Sequence, residues 1–87
     1  MKIQLAHLRV QGIDFAVFAT DARSGSNSDR ARLLQQLTIA ARNTGLKVDK
    51  SALAYKRSGR VEYYGAKDLV QYLASHGVSH WNHTITL

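Results

Sequence analysis

The sequence predicts an α+β fold: a largely antiparallel five-stranded sheet with two helices on one face, in the order ββαββαβ. Three observations support this class. The chain has 87 residues, which suffice for one hydrophobic core. Apolar segments joined by short glycine turns predict paired strands, and a segment with leucines at helical spacing follows each pair. Residues 1–87 are therefore expected to form a single α+β domain.

The composition is that of an ordinary globular protein, with 45% hydrophobic and 21% charged residues. Cysteine is absent, so neither a disulfide nor a thiolate zinc site is expected, and a cytoplasmic location is favoured. No segment approaches the roughly 20 apolar residues of a membrane-spanning helix, so no membrane association is predicted. The net charge of +6 favours polyanionic partners such as nucleic acid.

The first two strands are predicted at residues 2–10 and 13–20, which are rich in Ile, Leu, Val and Phe. Only Gln11 and Gly12 separate them, and glycine accepts the positive φ of a tight hairpin turn. In the second strand, Phe18 adds an apolar side chain to the side opposite the main apolar set. A strand that is apolar on both sides is typical of the centre of a sheet.

The first helix is predicted to follow the polar loop 23–29 and to run to about Thr44. Ser26 and Asp29 approximate a capping box at its start, and Gly45 suits the left-handed position after its end. One face of this helix carries the residues expected in the core: Leu33, Leu34, Leu37, Ala40, Ala41 and Thr44.

Residues 47–64 are predicted to form a second hairpin that turns at Ser58 and Gly59. This turn sets three pairs opposite each other: Leu53 with Tyr64, Tyr55 with Glu62, and Arg57 with Arg60. Apolar residues at helical spacing then predict a helix over residues 66–76. Residues 78–87 are expected to complete the sheet as a strand.

The strongest indication of function is the basic stretch 47–60, which carries five lysines and arginines against one aspartate. The predicted register places aromatic rings, which stack on bases, beside cations, which contact phosphates, on one side of the hairpin. The predicted nucleic-acid-binding residues are Lys50, Tyr55, Lys56, Arg57, Arg60 and Tyr64, with Arg23 and Arg30 extending the surface. The alternative is an edge hairpin whose charges prevent aggregation and whose tyrosines pack half-buried against the helices.

The loop from Arg23 to Arg30 is a second candidate for anion binding, because the free N–H groups at a helix N-terminus attract phosphate. The G-x-x-x-x-G-K-[ST] pattern is absent, so a nucleoside-triphosphate loop is excluded. A capped polar loop without a ligand is the alternative.

Neither metal binding nor catalysis is predicted. His80 and His83 are three residues apart, so on a strand their side chains point to opposite faces and do not share an ion. Neither a G-x-S-x-G motif nor a cysteine is present to supply a nucleophile. We therefore expect no cofactor, no metal and no enzymatic activity.

Residues 69–87 contain no Lys, Arg, Asp or Glu. Depletion of charge with retained aromatic residues is typical of the centre of a protein interface, and a strand in the middle of the sheet is the alternative. The predicted partner interface comprises Ile39, Tyr72, His80, Trp81 and His83.

The sequence thus predicts a small basic nucleic-acid-binding or nucleic-acid-associated accessory protein. The alternative is a protein-binding regulator or inhibitor, of the kind encoded by phages and other mobile elements, that acts through this uncharged third on a protein partner or as a homodimer.

Overall fold

The computed structural model describes residues 2–20, 27–78 and 80–86 of the chain. Within these ranges the chain forms β1 (Lys2–Val10), β2 (Ile13–Ala19), α1 (Asn27–Asn43), β3 (Lys50–Arg57), β4 (Arg60–Gly65), α2 (Lys67–His76) and β5 (His83–Thr86). The predicted order ββαββαβ is confirmed. Neither helix in the described ranges is both long and apolar enough to span a membrane.

The strands form one sheet in the order β4-β3-β2-β1-β5. Neighbouring strands are antiparallel except for β2 and β3, which are parallel because the helical crossover through α1 joins them. β2 is the central strand, as its two apolar sides predicted, and Val17 and Phe18 on opposite sides of it are both 0% exposed. The α+β class and the largely antiparallel five-stranded sheet are confirmed.

Both predicted hairpin turns are present. Gln11 and Gly12 have φ angles of 52° and 80°, and Ser58 and Gly59 have φ angles of 53° and 77°. Two successive positive φ angles are what a type I′ turn requires, and this turn fits the twist of the strands that it joins. The β3–β4 register is also the predicted one: Leu53 pairs with Tyr64, Tyr55 with Glu62, and Arg57 with Arg60.

The two helices pack on opposite faces of the sheet, so the prediction that both lie on one face is wrong. Leu37 of α1 belongs to the buried cluster that contains Leu53 of β3, whereas Leu69 of α2 belongs to the cluster that contains Ala52. The cause is the apolar character of both sides of β2 and β3, because a sheet that is apolar on two sides must be covered on two sides. We call these sides the α1 face, which carries Leu53, and the α2 face, which carries Ala52.

The last strand is shorter than predicted, because β5 covers His83–Thr86 instead of residues 78–87. Its pairing with β1 begins where His83 lies opposite Leu5. One residue earlier, the side-chain oxygen of Asn82 accepts a hydrogen bond from the backbone N–H of His7 at 3.1 Å. The Asn82 side chain therefore bonds to the edge of β1 at the point where the backbone pairing of β5 has ended.

Candidate nucleic-acid interface

One end of the sheet collects cations from three elements. The β3–β4 turn projects from this end, and β2 also finishes here, since the Thr20 N–H donates to the Ala54 carbonyl at 2.9 Å. The first turn of α1 lies at the same end, because the Arg30 guanidinium carbon is 5.0 Å from the centroid of the Tyr55 ring. We call this region the basic end and define it by Arg30, Lys56 and Arg60.

Lys56 and Arg60 are the exposed cations of the basic end. Within the described residues, no carboxylate lies within 4 Å of either charged group. Side chains alternate along a strand, so Lys56 projects on the α2 face and Arg60 on the α1 face. The two charges flank a narrow turn and remain available to an anionic ligand.

Tyr55 does not supply a stacking surface, so this part of the predicted site is wrong. Its side chain is only 7% exposed and belongs to the core under α1. Arg30 covers the ring, and the phenol hydroxyl donates to a Glu62 carboxylate oxygen at 3.4 Å. Tyr64 shares this face and is half-buried against the same core. A tyrosine on a sheet face that a helix covers packs into the core. Tyr55 and Tyr64 would be exposed only if no helix covered their face of the sheet.

Lys50 does not belong to the basic end, contrary to the prediction. It begins β3, so at 3.3 Å per residue it lies about 23 Å from the end of that strand. Its ammonium group forms an ion pair with Asp68 in the first turn of α2, and this hydrogen bond lowers the pKa of the Asp68 carboxyl. Arg23 and the side chain of Arg57, which were also predicted to bind, lie outside the described part of the structure.

Trp81 reaches the basic end, which the sequence did not predict. β5 lies at the far edge of the sheet from β3 and β4. Nevertheless, Trp81 lines a groove of about 290 Å³ together with residues at the end of β2, near the end of β3 and at the start of β4: Ala19, Thr20, Ala54, Tyr55, Lys56 and Val61. Its side chain is 36% exposed. The sequence carries no signal for this placement, because it depends on contacts between residues that are far apart along the chain.

The five residues of the predicted partner interface do not form one surface. Ile39 is 49% exposed on α1, whereas Tyr72 lies on α2 across the sheet, where its ring stacks on His76 with 4.4 Å between centroids. His80 is exposed before β5, and His83 is half-buried within β5. The uncharged C-terminal third is therefore distributed over different sides of the molecule.

A polar network at the other end of the sheet was missed in the sequence. Asp14 is 5% exposed, and its carboxylate lies 3.5 Å from His7 Nε2 and 3.8 Å from Lys47 Nζ. His7 Nε2 donates to the Lys47 carbonyl at 2.9 Å, and the backbone N–H of Asp14 donates to the Asp49 carboxylate at 3.0 Å. These contacts fix the segment that precedes β3 against β1 and β2. An aspartate in an otherwise apolar strand was the available signal.

No cluster of three or more histidine, aspartate or glutamate side chains that could hold a metal ion occurs in the described ranges. No family model, no curated protein and no solved structure matches the chain. The fold and the site therefore define only a class, namely a three-layer α+β protein that exposes the cations Lys56 and Arg60 at one end of its sheet.

Proposed function

We propose that this protein binds nucleic acid through the basic end. The observation that carries the proposal is the pair of exposed cations, Lys56 and Arg60, which flank a protruding turn without a carboxylate partner among the described residues. Two carboxylates at the other end of the sheet, Asp14 and Asp68, lie within 4 Å of lysine ammonium groups. Lys56 and Arg60 therefore form a pair of exposed cations on either side of the turn, and both are available to an anionic ligand.

Phosphate groups are the expected ligands of these cations. Each phosphate that a lysine or arginine neutralises releases condensed counterions, and this release supplies most of the affinity of sequence-independent binding. The net charge of +6 adds long-range attraction for the same polyanions. A protein of this size with one charged end is suited to an accessory role, in which it occupies a nucleic acid and performs no reaction on it.

A salt titration tests the proposal. Affinity for a fluorescent oligonucleotide is measured by anisotropy at several salt concentrations for the wild-type protein, Lys56→Ala and Arg60→Ala. The slope of log affinity against log salt should decrease by about one for each variant. Lys67→Ala is the matched control, because this exposed lysine lies at the start of α2, at the other end of β4.

This control distinguishes binding at a defined site from attraction by the net charge of the protein. Lys67→Ala removes the same charge, so it should leave the slope close to that of the wild type. An equal loss in all three variants would show attraction by net charge only, and would contradict a site at the basic end. Absence of binding to DNA and RNA at low salt would overturn the proposal altogether.

Protein binding is the second candidate, and one observation favours it. The exposed Ile39 borders a groove of about 610 Å³ between α1 and the edge of the sheet, with Arg42 and Tyr64 also in its wall. An exposed apolar residue beside a groove is typical of an interface. The expected occupant is a second copy of this chain. Native mass measurement should then give a dimer for the wild type and a monomer for Ile39→Glu, and a wild-type monomer at high concentration would contradict it.

A further inference from the structure

The groove beside Trp81 has the dimensions and lining of a ligand site. Its volume is about 290 Å³, close to the lower end of the range for small-ligand pockets. Ala19 and Ala54 lie next to each other on β2 and β3 and line it. Larger side chains at these two positions would fill the space, so the groove exists because both central strands carry alanine there.

The groove has apolar walls. Val61, which is 51% exposed, and Trp81 provide apolar surface. Ala19 and Ala54 form the floor between them. A flat apolar or aromatic group therefore fits the space beside the indole ring.

Lys56 adds a positive charge to the same groove. The lining therefore offers an aromatic ring and an ammonium group. A nucleotide has the matching parts, namely a flat base and a phosphate. An uncharged apolar ligand would leave the ammonium group without a partner.

We propose that this groove holds one unstacked base of a single-stranded nucleic acid, with the base against Trp81 and a flanking phosphate at Lys56. This inference rests on the proposed function and names its substrate class. Base stacking on aromatic side chains is a general means of binding single strands, since every base has a flat π-face. A base within a duplex is stacked on both sides and does not enter the groove unless it is flipped out. The protein should therefore prefer single strands to duplexes.

Trp81 is the only tryptophan of the chain, so its fluorescence reports on the groove directly. The probes are oligothymidylate and oligouridylate of about ten nucleotides, a length within the usual site sizes, together with a duplex of the same length. Either or both single strands should quench Trp81, and the relative affinities distinguish DNA from RNA. The duplex should bind more weakly and leave the fluorescence nearly unchanged.

Two variants test the contacts. Trp81→Leu should weaken single-strand binding by roughly 5-fold to 150-fold, the range for one base on an aromatic ring, and Trp81→Tyr should restore most of it. Circular dichroism of each variant checks that the fold is retained.

The outcomes separate the two proposals. Salt-dependent binding with unquenched Trp81, equal affinity for the duplex, or an unaffected Trp81→Leu variant would overturn the base-binding groove while leaving the basic end as a nucleic-acid site. Absence of any binding would overturn both. Quenching by single strands together with loss in Trp81→Leu and recovery in Trp81→Tyr would support the groove.

Discussion

The lysines near the two ends of β3 differ in their carboxylate neighbours. At the basic end, Lys56 and Arg60 have no carboxylate within 4 Å among the described residues. At the opposite end, which we call the paired end and define by Lys47, Lys50, Asp14 and Asp68, each lysine lies within 4 Å of a carboxylate. The acidic partners are Asp14, near the start of β2, and Asp68, in the first turn of α2, and both positions lie at this end. Lys47 and Lys50 thus make contacts within the fold, whereas Lys56 remains available to a ligand.

The largest loss of stability is expected for Gly65→Ala, a substitution at the paired end. Gly65 has a φ of 149°, and a Cβ built there would meet the Ser51 carbonyl oxygen and lie 2.7 Å from the Ala52 Cα. Both neighbours are backbone atoms that cannot move without disturbing β3. We expect a loss of about 3 kcal/mol in the free energy of unfolding, measured by urea denaturation.

Gly59→Ala at the basic end is the matched control. Gly59 also has a positive φ, 77°, but a Cβ there meets nothing within 4 Å. Only backbone strain remains, so the expected loss is about 1 kcal/mol. Equal losses in the two variants would mean that β4 does not approach β3 as closely as the structure has it.

A smaller loss of stability than that of Gly65→Ala is expected for Asp14→Ala. This change removes the buried carboxylate from His7 and Lys47, and we expect a loss of about 2 kcal/mol in the free energy of unfolding. Lys56→Ala is the counterpart at the basic end and should change stability by less than about 0.5 kcal/mol, because it breaks no pair. A large loss in Lys56→Ala would show a structural role and would weaken the contrast between the ends.

The smallest effect concerns the pH dependence of the exposed Lys50–Asp68 pair. The hydrogen bond from Lys50 lowers the pKa of Asp68 below its value in the unfolded chain. Its contribution to stability is therefore fully present above the unfolded pKa and is lost as the pH falls through the lowered folded pKa. Lys50→Ala should raise the pKa of Asp68 back toward 3.8, measured by NMR titration of the carboxyl carbon. An unchanged pKa in this variant would show that the pair does not form in solution.

Local features of the sequence predicted the elements and the hairpins well. The turns at Gly12 and Gly59 were predicted because tight hairpins need residues that accept a positive φ, and the pairing of Tyr55 with Glu62 follows once the second turn is fixed. The candidate site was predicted only in part. The exposed cations Lys56 and Arg60 were found, but Tyr55 was assigned to the binding surface because the register places it on the same side of the hairpin as Arg60, and that side is the one that α1 covers.

What the sequence determined by itself is the order of the elements, the two turns and the register of the β3–β4 hairpin, since each depends on residues that are close along the chain. The tertiary structure decided which face each helix covers, which lysines find a carboxylate, and where Trp81 lies. These features depend on contacts between distant residues, such as Lys50 with Asp68 and Lys56 with Trp81 across one groove. The alternation of apolar residues and the residue types of the turns do not constrain such contacts. The contacts form only when both faces of the sheet are packed.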